Sequence, residues 1–158
     1  LYATFGKFRQ AGLVLSIVPL ALFGGMLALN VRGMTLNVSS AVGFIAMFGL
    51  SIQNGIIMVS QINGLRIKGM ELRKSVIEGA RQRFRPILMT SVTTILGLFP
   101  ASLATGIGSD VQRPLATVIV YGLMFSTLVS MFLLPAFYYL VENNVLNKKK
   151  NDEKEYTI

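Results

Sequence analysis

Long uncharged runs set the pattern of this chain. Val38–Ile62, Ile87–Ala104 and Leu115–Val141 contain no Lys, Arg, Asp, Glu or His, and Gln10–Val31 is a fourth such run. Crossing the hydrocarbon core of a bilayer takes about 20 predominantly apolar residues. The pattern therefore predicts an all-α membrane protein, a bundle of four transmembrane helices at about 10–29, 38–62, 87–104 and 115–141. Little of the chain is left for a water-soluble domain, so its function lies among transporters, channels or membrane scaffolds.

Within the runs, the small and polar residues are placed with purpose. The first carries Pro19 and Gly24-Gly25, which membrane helices tolerate and which allow neighbours to approach closely. Residues 30–37 read as a short external loop, and Asn37 as the N-cap of the second helix. Ser39 and Gly43 stand four apart as a small-residue contact stripe, and Gly49 and Gln53 share a face at the same spacing. The connection 63–85 places Leu72, Val76 and Ala80 at helical spacing, with Arg73, Lys74, Glu78 and Arg81 on other faces. That pattern predicts an amphipathic interfacial helix at about 70–83, lying along the inner membrane surface. Pro86 then suits the first turn of the third span. Thr90, Thr94, Gly97 and Ala101 give that span one small, mildly polar face. Residues 105–113 form a glycine-containing external turn, in which Asp110 caps the approach to a fourth span starting at Pro114. Residues 1–9 are expected to be the end of a truncated helix and a cytoplasmic turn, 10–141 the bundle, and 142–158 a polar, disordered cytoplasmic tail.

Charge fixes the orientation. Thirteen of the 15 Lys and Arg residues fall in Lys7–Arg9, Arg66–Arg85 and Lys148–Lys154, leaving Arg32 and Arg113 alone in the other two connections. Basic connections stay in the cytoplasm, so both ends and the 63–85 connection are expected there, and four crossings return the chain to its starting side. The net charge of +8 reports topology and contact with anionic lipid, not nucleic-acid binding. Hydrophobic residues make up 53% of the chain and charged residues 14%, against about 25% charged in an ordinary soluble domain. The chain opens at Leu1 without a signal-peptide pattern, which reads as a start within a larger protein.

The chemistry available is narrow. There is no Cys and no His, so neither a metal-ligand cluster nor a nucleophile–base pair assembles from this chain. It is not expected to be an enzyme or to need a cofactor. No ionisable group lies inside any of the four runs, although proton and ion pathways in membranes are usually marked by one. The best polar candidates are Gln53 and Asn54, followed by the hydroxyls Thr90 and Thr94 and by Arg83 at the inner end of the third span. Each has a structural alternative: amide hydrogen bonds between helices, hydroxyl bonds to the helix's own backbone, and a topology anchor for Arg83.

Several runs occur in a familiar order and spacing. They are Val42-Gly-Phe-Ile-Ala-Met-Phe-Gly49, Gln53-Asn-Gly-Ile-Ile-Met-Val-Ser60, Glu78-Gly-Ala-Arg81, Arg83-Phe-Arg-Pro-Ile-Leu-Met-Thr90, Gly97-Leu-Phe-Pro100 and Ala104-Thr-Gly-Ile-Gly-Ser-Asp-Val-Gln-Arg-Pro-Leu-Ala116. Together they resemble the C-terminal membrane helices of the resistance–nodulation–division (RND) efflux pumps, over nearly everything from Phe8 to Leu140. Val111-Gln-Arg-Pro-Leu-Ala116 with Gln53-Asn-Gly55 is similar to the heavy-metal branch, of cobalt–zinc–cadmium type; the multidrug branch usually has Lys where Gln53 stands. The resemblance implies an inner-membrane homotrimer that exchanges protons for a metal-ion substrate and docks to a periplasmic adaptor and an outer-membrane channel. It places Gln53 and Asn54 opposite proton-relay carboxylates on a helix this chain lacks, with Thr90 as a neighbour of that relay and Arg83 as a basic residue near the inner end of the same helix as Thr90. A multidrug-type pump fragment and a truncated, non-transporting membrane scaffold are the alternatives.

Overall fold

In the computed structural model, residues 6–155 are described, with side chains to residue 150. They form four helices: α1 (Phe8–Val31), α2 (Val38–Ile67), α3 (Leu72–Ser102) and α4 (Ser109–Glu155). Each contains a stretch long and apolar enough to cross a membrane, and no strand occurs among the described residues. Helices are the expected solution, because lipid offers no partner for an unpaired backbone amide or carbonyl. The part of the 1–9 prediction that concerns residues 1–5 lies outside the described residues.

The ends of the helices follow from local sequence. Asn37 caps α2 as predicted: its side chain accepts from the Ser40 amide at 2.9 Å, while Ser40 Oγ accepts from the Asn37 amide at 2.9 Å. α1 stops at Gly33 (φ +63°) and α2 at Gly69 (φ +87°). In both, the next amide reaches back to the helix, Met34 to the Leu29 carbonyl at 2.9 Å and Met70 to Leu65 at 3.4 Å. This is the Schellman closure, which needs the left-handed backbone that glycine adopts without strain. Asp110 sits in the first turn of α4, where a carboxylate complements the helix dipole.

Two predicted boundaries are corrected. The expected interfacial helix at about 70–83 and the third span are one continuous helix, α3, with Pro86 in its interior instead of its first turn. Proline removes one amide from the ladder, here the usual donor to the Gln82 carbonyl; the helix runs through it nonetheless. Residues 142–155 of the tail expected to be disordered are instead the end of α4, and the part of that prediction that concerns residues 156–158 lies outside the described residues. Extending an existing helix avoids the nucleation cost, and the Asn-, Lys- and Glu-rich end contains no breaker. At 47 residues, α4 is about 70 Å long, over twice the roughly 30 Å hydrocarbon thickness, so its basic end projects beyond the bilayer core.

α4 is the hub, packed against α1, α2 and α3. Two-thirds of its most apolar window is buried (67%), against 11% for that of α3. Glycines set the spacing. A β-carbon on Gly24 would lie 2.7 Å from Phe125 Cβ, and one on Gly25 would lie 2.8 Å from Phe44 Cε1, so α4 and α2 both press aromatic rings onto α1. One on Gly43 would lie 3.0 Å from the Leu115 carbonyl oxygen. Ser39, one turn earlier, donates its hydroxyl to the Val111 carbonyl, so the predicted Ser39–Gly43 stripe is the seam between α2 and α4.

Candidate functional site

Gln53, Asn54, Arg83, Thr90 and Thr94 all line one groove of about 310 Å³ between α2 and α3, with Leu123 of α4 among its lining residues. On α3 the register explains the grouping: Arg83, Ile87, Thr90 and Thr94 stand at i, i+4, i+7 and i+11, which is one helix face. On α2, Leu50, Gln53, Asn54 and Ile57 supply the facing wall.

The five residues differ in what they offer. Gln53 is exposed, whereas Asn54 is buried (8% exposed), and neither side chain has a hydrogen-bond partner among the described residues. Thr90 donates to the Pro86 and Ile87 carbonyls at 3.1 and 3.0 Å, and Thr94 to the Thr90 carbonyl at 2.9 Å. Their protons are thus committed to their own helix, as the structural alternative held, and only lone pairs face the groove. Arg83 donates from Nε and Nη2 to Gln61 Oε1, at 3.1 and 2.9 Å. The groove therefore combines one cation, two amides free to donate or accept, and three hydroxyls, those of Thr90, Ser91 and Thr94. It holds no carboxylate, and no cluster of His, Cys, Asp or Glu suited to a metal ion exists among the described residues. Such a site hydrogen-bonds an anion and supplies no carboxylate or imidazole of its own.

Behind the groove, hydroxyl pairs tie both walls to the hub. Ser91 meets Thr127 at 2.7 Å and Ser51 meets Ser126 at 2.8 Å, all buried. These α4 residues were not among the sequence candidates, although the Ser-Thr step within an apolar run was their visible signal.

A second polar centre lies where the start of α1, the end of α2 and α4 meet, and the sequence reading missed it. Gln10 of α1 and Asn63 of α2 exchange amide hydrogen bonds at 2.9 and 2.8 Å. The buried Tyr138 donates its hydroxyl to Asn63 Oδ1 at 2.5 Å. Arg66 pairs with Glu142 at 2.5 Å, and Arg9 approaches the same carboxylate at 3.8 Å. Glu142, assigned by sequence to the polar tail, is 6% exposed. Its partner Arg66 is 76 residues away, which no local pattern announces. At the opposite end of the bundle Arg32 donates to the Ser102 carbonyl at 2.9 Å and to Thr117 Oγ1 at 3.1 Å; this arginine thus ties α1 to the last residue of α3 and to α4.

The model of the AcrB/AcrD/AcrF family matches residues 1–142. The chain is 41% identical, over 99% of its length, to the cobalt-zinc-cadmium resistance protein CzcA of Cupriavidus metallidurans. It is 46% identical, over 86% of its length, to the nickel and cobalt resistance protein CnrA of the same organism. A crystal structure of a heavy metal efflux pump superposes on 88% of the chain with a TM-score of 0.79 and 55% identity. The chain spans only 14% of CzcA, 13% of CnrA and 14% of that solved chain.

Proposed function

The chain belongs to the AcrB/AcrD/AcrF family, and we propose that it is the C-terminal part of the membrane domain of a proton-coupled pump that exports heavy-metal cations. Its role is in transport, not catalysis. The observation that carries this reading is the groove. Six polar residues line it, and the Asn54 amide, unbonded among the described residues, opens onto it. Amides that only fastened helices together would be bonded across them, as Gln10 and Asn63 are. An amide left open on a groove between membrane helices offers its hydrogen bonds to a partner outside this chain. Proton coupling requires a titratable group, and a carboxylate on a further membrane helix meets both needs.

In this reading the complete protein is a homotrimer of the bacterial inner membrane, with both ends of this segment in the cytoplasm. Portions beyond this chain bind the periplasmic adaptor and the outer-membrane channel. Gln53 and Asn54 line the proton path and Thr90, Thr94 and Arg83 border it, at the helix interface near mid-membrane where repeat-built transporters place their coupling sites. The metal relatives named above favour a cation over a hydrophobic drug as cargo.

The test is a resistance profile of a sensitive bacterial strain carrying the complete protein, measured against zinc, cobalt, cadmium, nickel, copper and a hydrophobic drug. The expected result is protection against one or more of the metals, lost in Gln53→Leu. Protection against the drug alone would place the chain with multidrug pumps, and no protection at normal membrane abundance would leave a scaffold.

A further inference from the structure

Among the described residues Arg83 is the only charged one lining the groove, and its hydrogen-bond partner is neutral. Among the described residues the ion pairs are Arg9–Glu142, Arg66–Glu142 and Lys74–Glu71; Arg83 belongs to none. Its two bonds both run to Gln61 Oε1. Gln61 Nε2 donates to Gln82 Oε1 at 2.6 Å, and Gln82 Nε2 donates to Glu78 Oε1 at 3.1 Å. The two ends fix the direction of this series. An ionised carboxylate only accepts and a guanidinium only donates, so Glu78 turns the Gln82 amide, which turns the Gln61 oxygen toward Arg83. Close helix approach makes the span reachable: a β-carbon on Gly79 would lie 2.7 Å from Ile62 Cγ1 and 3.3 Å from Ile62 Cα.

We infer that Gln61 is a positioning residue, which through Gln82 and Glu78 holds Arg83 at the groove as an oriented but uncompensated cation for a carboxylate presented by another membrane helix. A carboxylate at position 61 would hold the guanidinium as firmly and cancel its charge; the amide holds it and leaves the charge free. Two of the five guanidinium N–H groups are engaged, and three remain for the incoming anion. This inference deepens the proton-coupled reading and rests on it.

Gln61→Glu separates positioning from charge. The complete protein, reconstituted in liposomes, is assayed for zinc transport as a function of pH, alongside Gln61→Leu, Ile77→Glu and the unaltered protein. Removing a compensating cation raises the pKa of a neighbouring carboxylate, so Gln61→Glu moves the pH of half-maximal transport upward, by about one unit, at unchanged thermal stability. Gln61→Leu lowers the rate without that upward shift. Ile77→Glu, which adds an acid on an exposed site of the same helix, leaves the profile in place. A wild-type profile for Gln61→Glu, or an equal shift for Ile77→Glu, overturns the inference while transport itself stands. A cryo-EM map of Gln61→Leu reads the positioning independently of transport. Arg83 is displaced on this account, and an unmoved guanidinium overturns it. If no variant and not even the unaltered protein moves zinc or another metal, the transport reading fails, and the map still decides the positioning.

Discussion

Replacing Glu142 by Met removes the carboxylate that faces Arg66 and leaves that guanidinium without its anion at the junction of α2 and α4. Breaking a buried ion pair on one side typically costs 3–5 kcal/mol (about 3 here, at the lower end, because water reaches part of the arginine). The Arg66 side chain is 25% exposed and that of Glu142 8%. Arg9, 3.8 Å from the carboxylate and 41% exposed, adds little by comparison. If the loss falls on local opening where α2 and α4 meet at Arg66 and Glu142, amide exchange there accelerates by about a hundredfold. The assay is hydrogen–deuterium exchange of the complete protein in detergent, followed in peptides covering 58–67 and 136–146. The double replacement Arg66→Met with Glu142→Met removes both charges and fills similar volume, so exchange returns to within about tenfold of the unaltered protein. Unchanged exchange in Glu142→Met would refute the reasoning, and so would a double variant as loose as the single one.

Further outcomes follow from the packing and the caps. Gly43→Ala brings a β-carbon to 3.0 Å from the Leu115 backbone oxygen and costs about 1–3 kcal/mol by overpacking; Gly49→Ala meets nothing within 4 Å and gains helix propensity, so it does not lower the unfolding temperature, as a thermal ramp in detergent checks. Asn37→Ala removes the side-chain cap of α2 and costs about 1 kcal/mol, read as faster exchange at residues 38–41. Arg32→Leu frees the Ser102 carbonyl and Thr117, and the end of α3 frays, visible as faster exchange at residues 99–104.

The spans were legible because uncharged runs of bilayer length have few other readings, and Asn37 because a cap is local chemistry. The continuity of α3 was not, since a basic stretch before Pro86 looks the same whether the helix lies on the membrane or runs through. The groove was legible in part: Gln53, Asn54, Thr90, Thr94 and Arg83 stand out as polar residues within or at the edge of apolar runs, and helical register brings them together. Gln61 and Gln82 did not stand out, because a glutamine at the edge of a span resembles any surface residue. Glu142 was hidden by its position just past an apolar run, where only the fold reveals that Arg66 waits opposite.

Zinc and proton fluxes recorded together in liposomes holding the complete protein give the most direct test of whether this groove couples the two. With Gln53 and Asn54 both replaced by Leu, zinc movement stops drawing on the pH gradient, while the unaltered protein exchanges the two ions in a fixed ratio. The same ratio in both proteins would contradict the account.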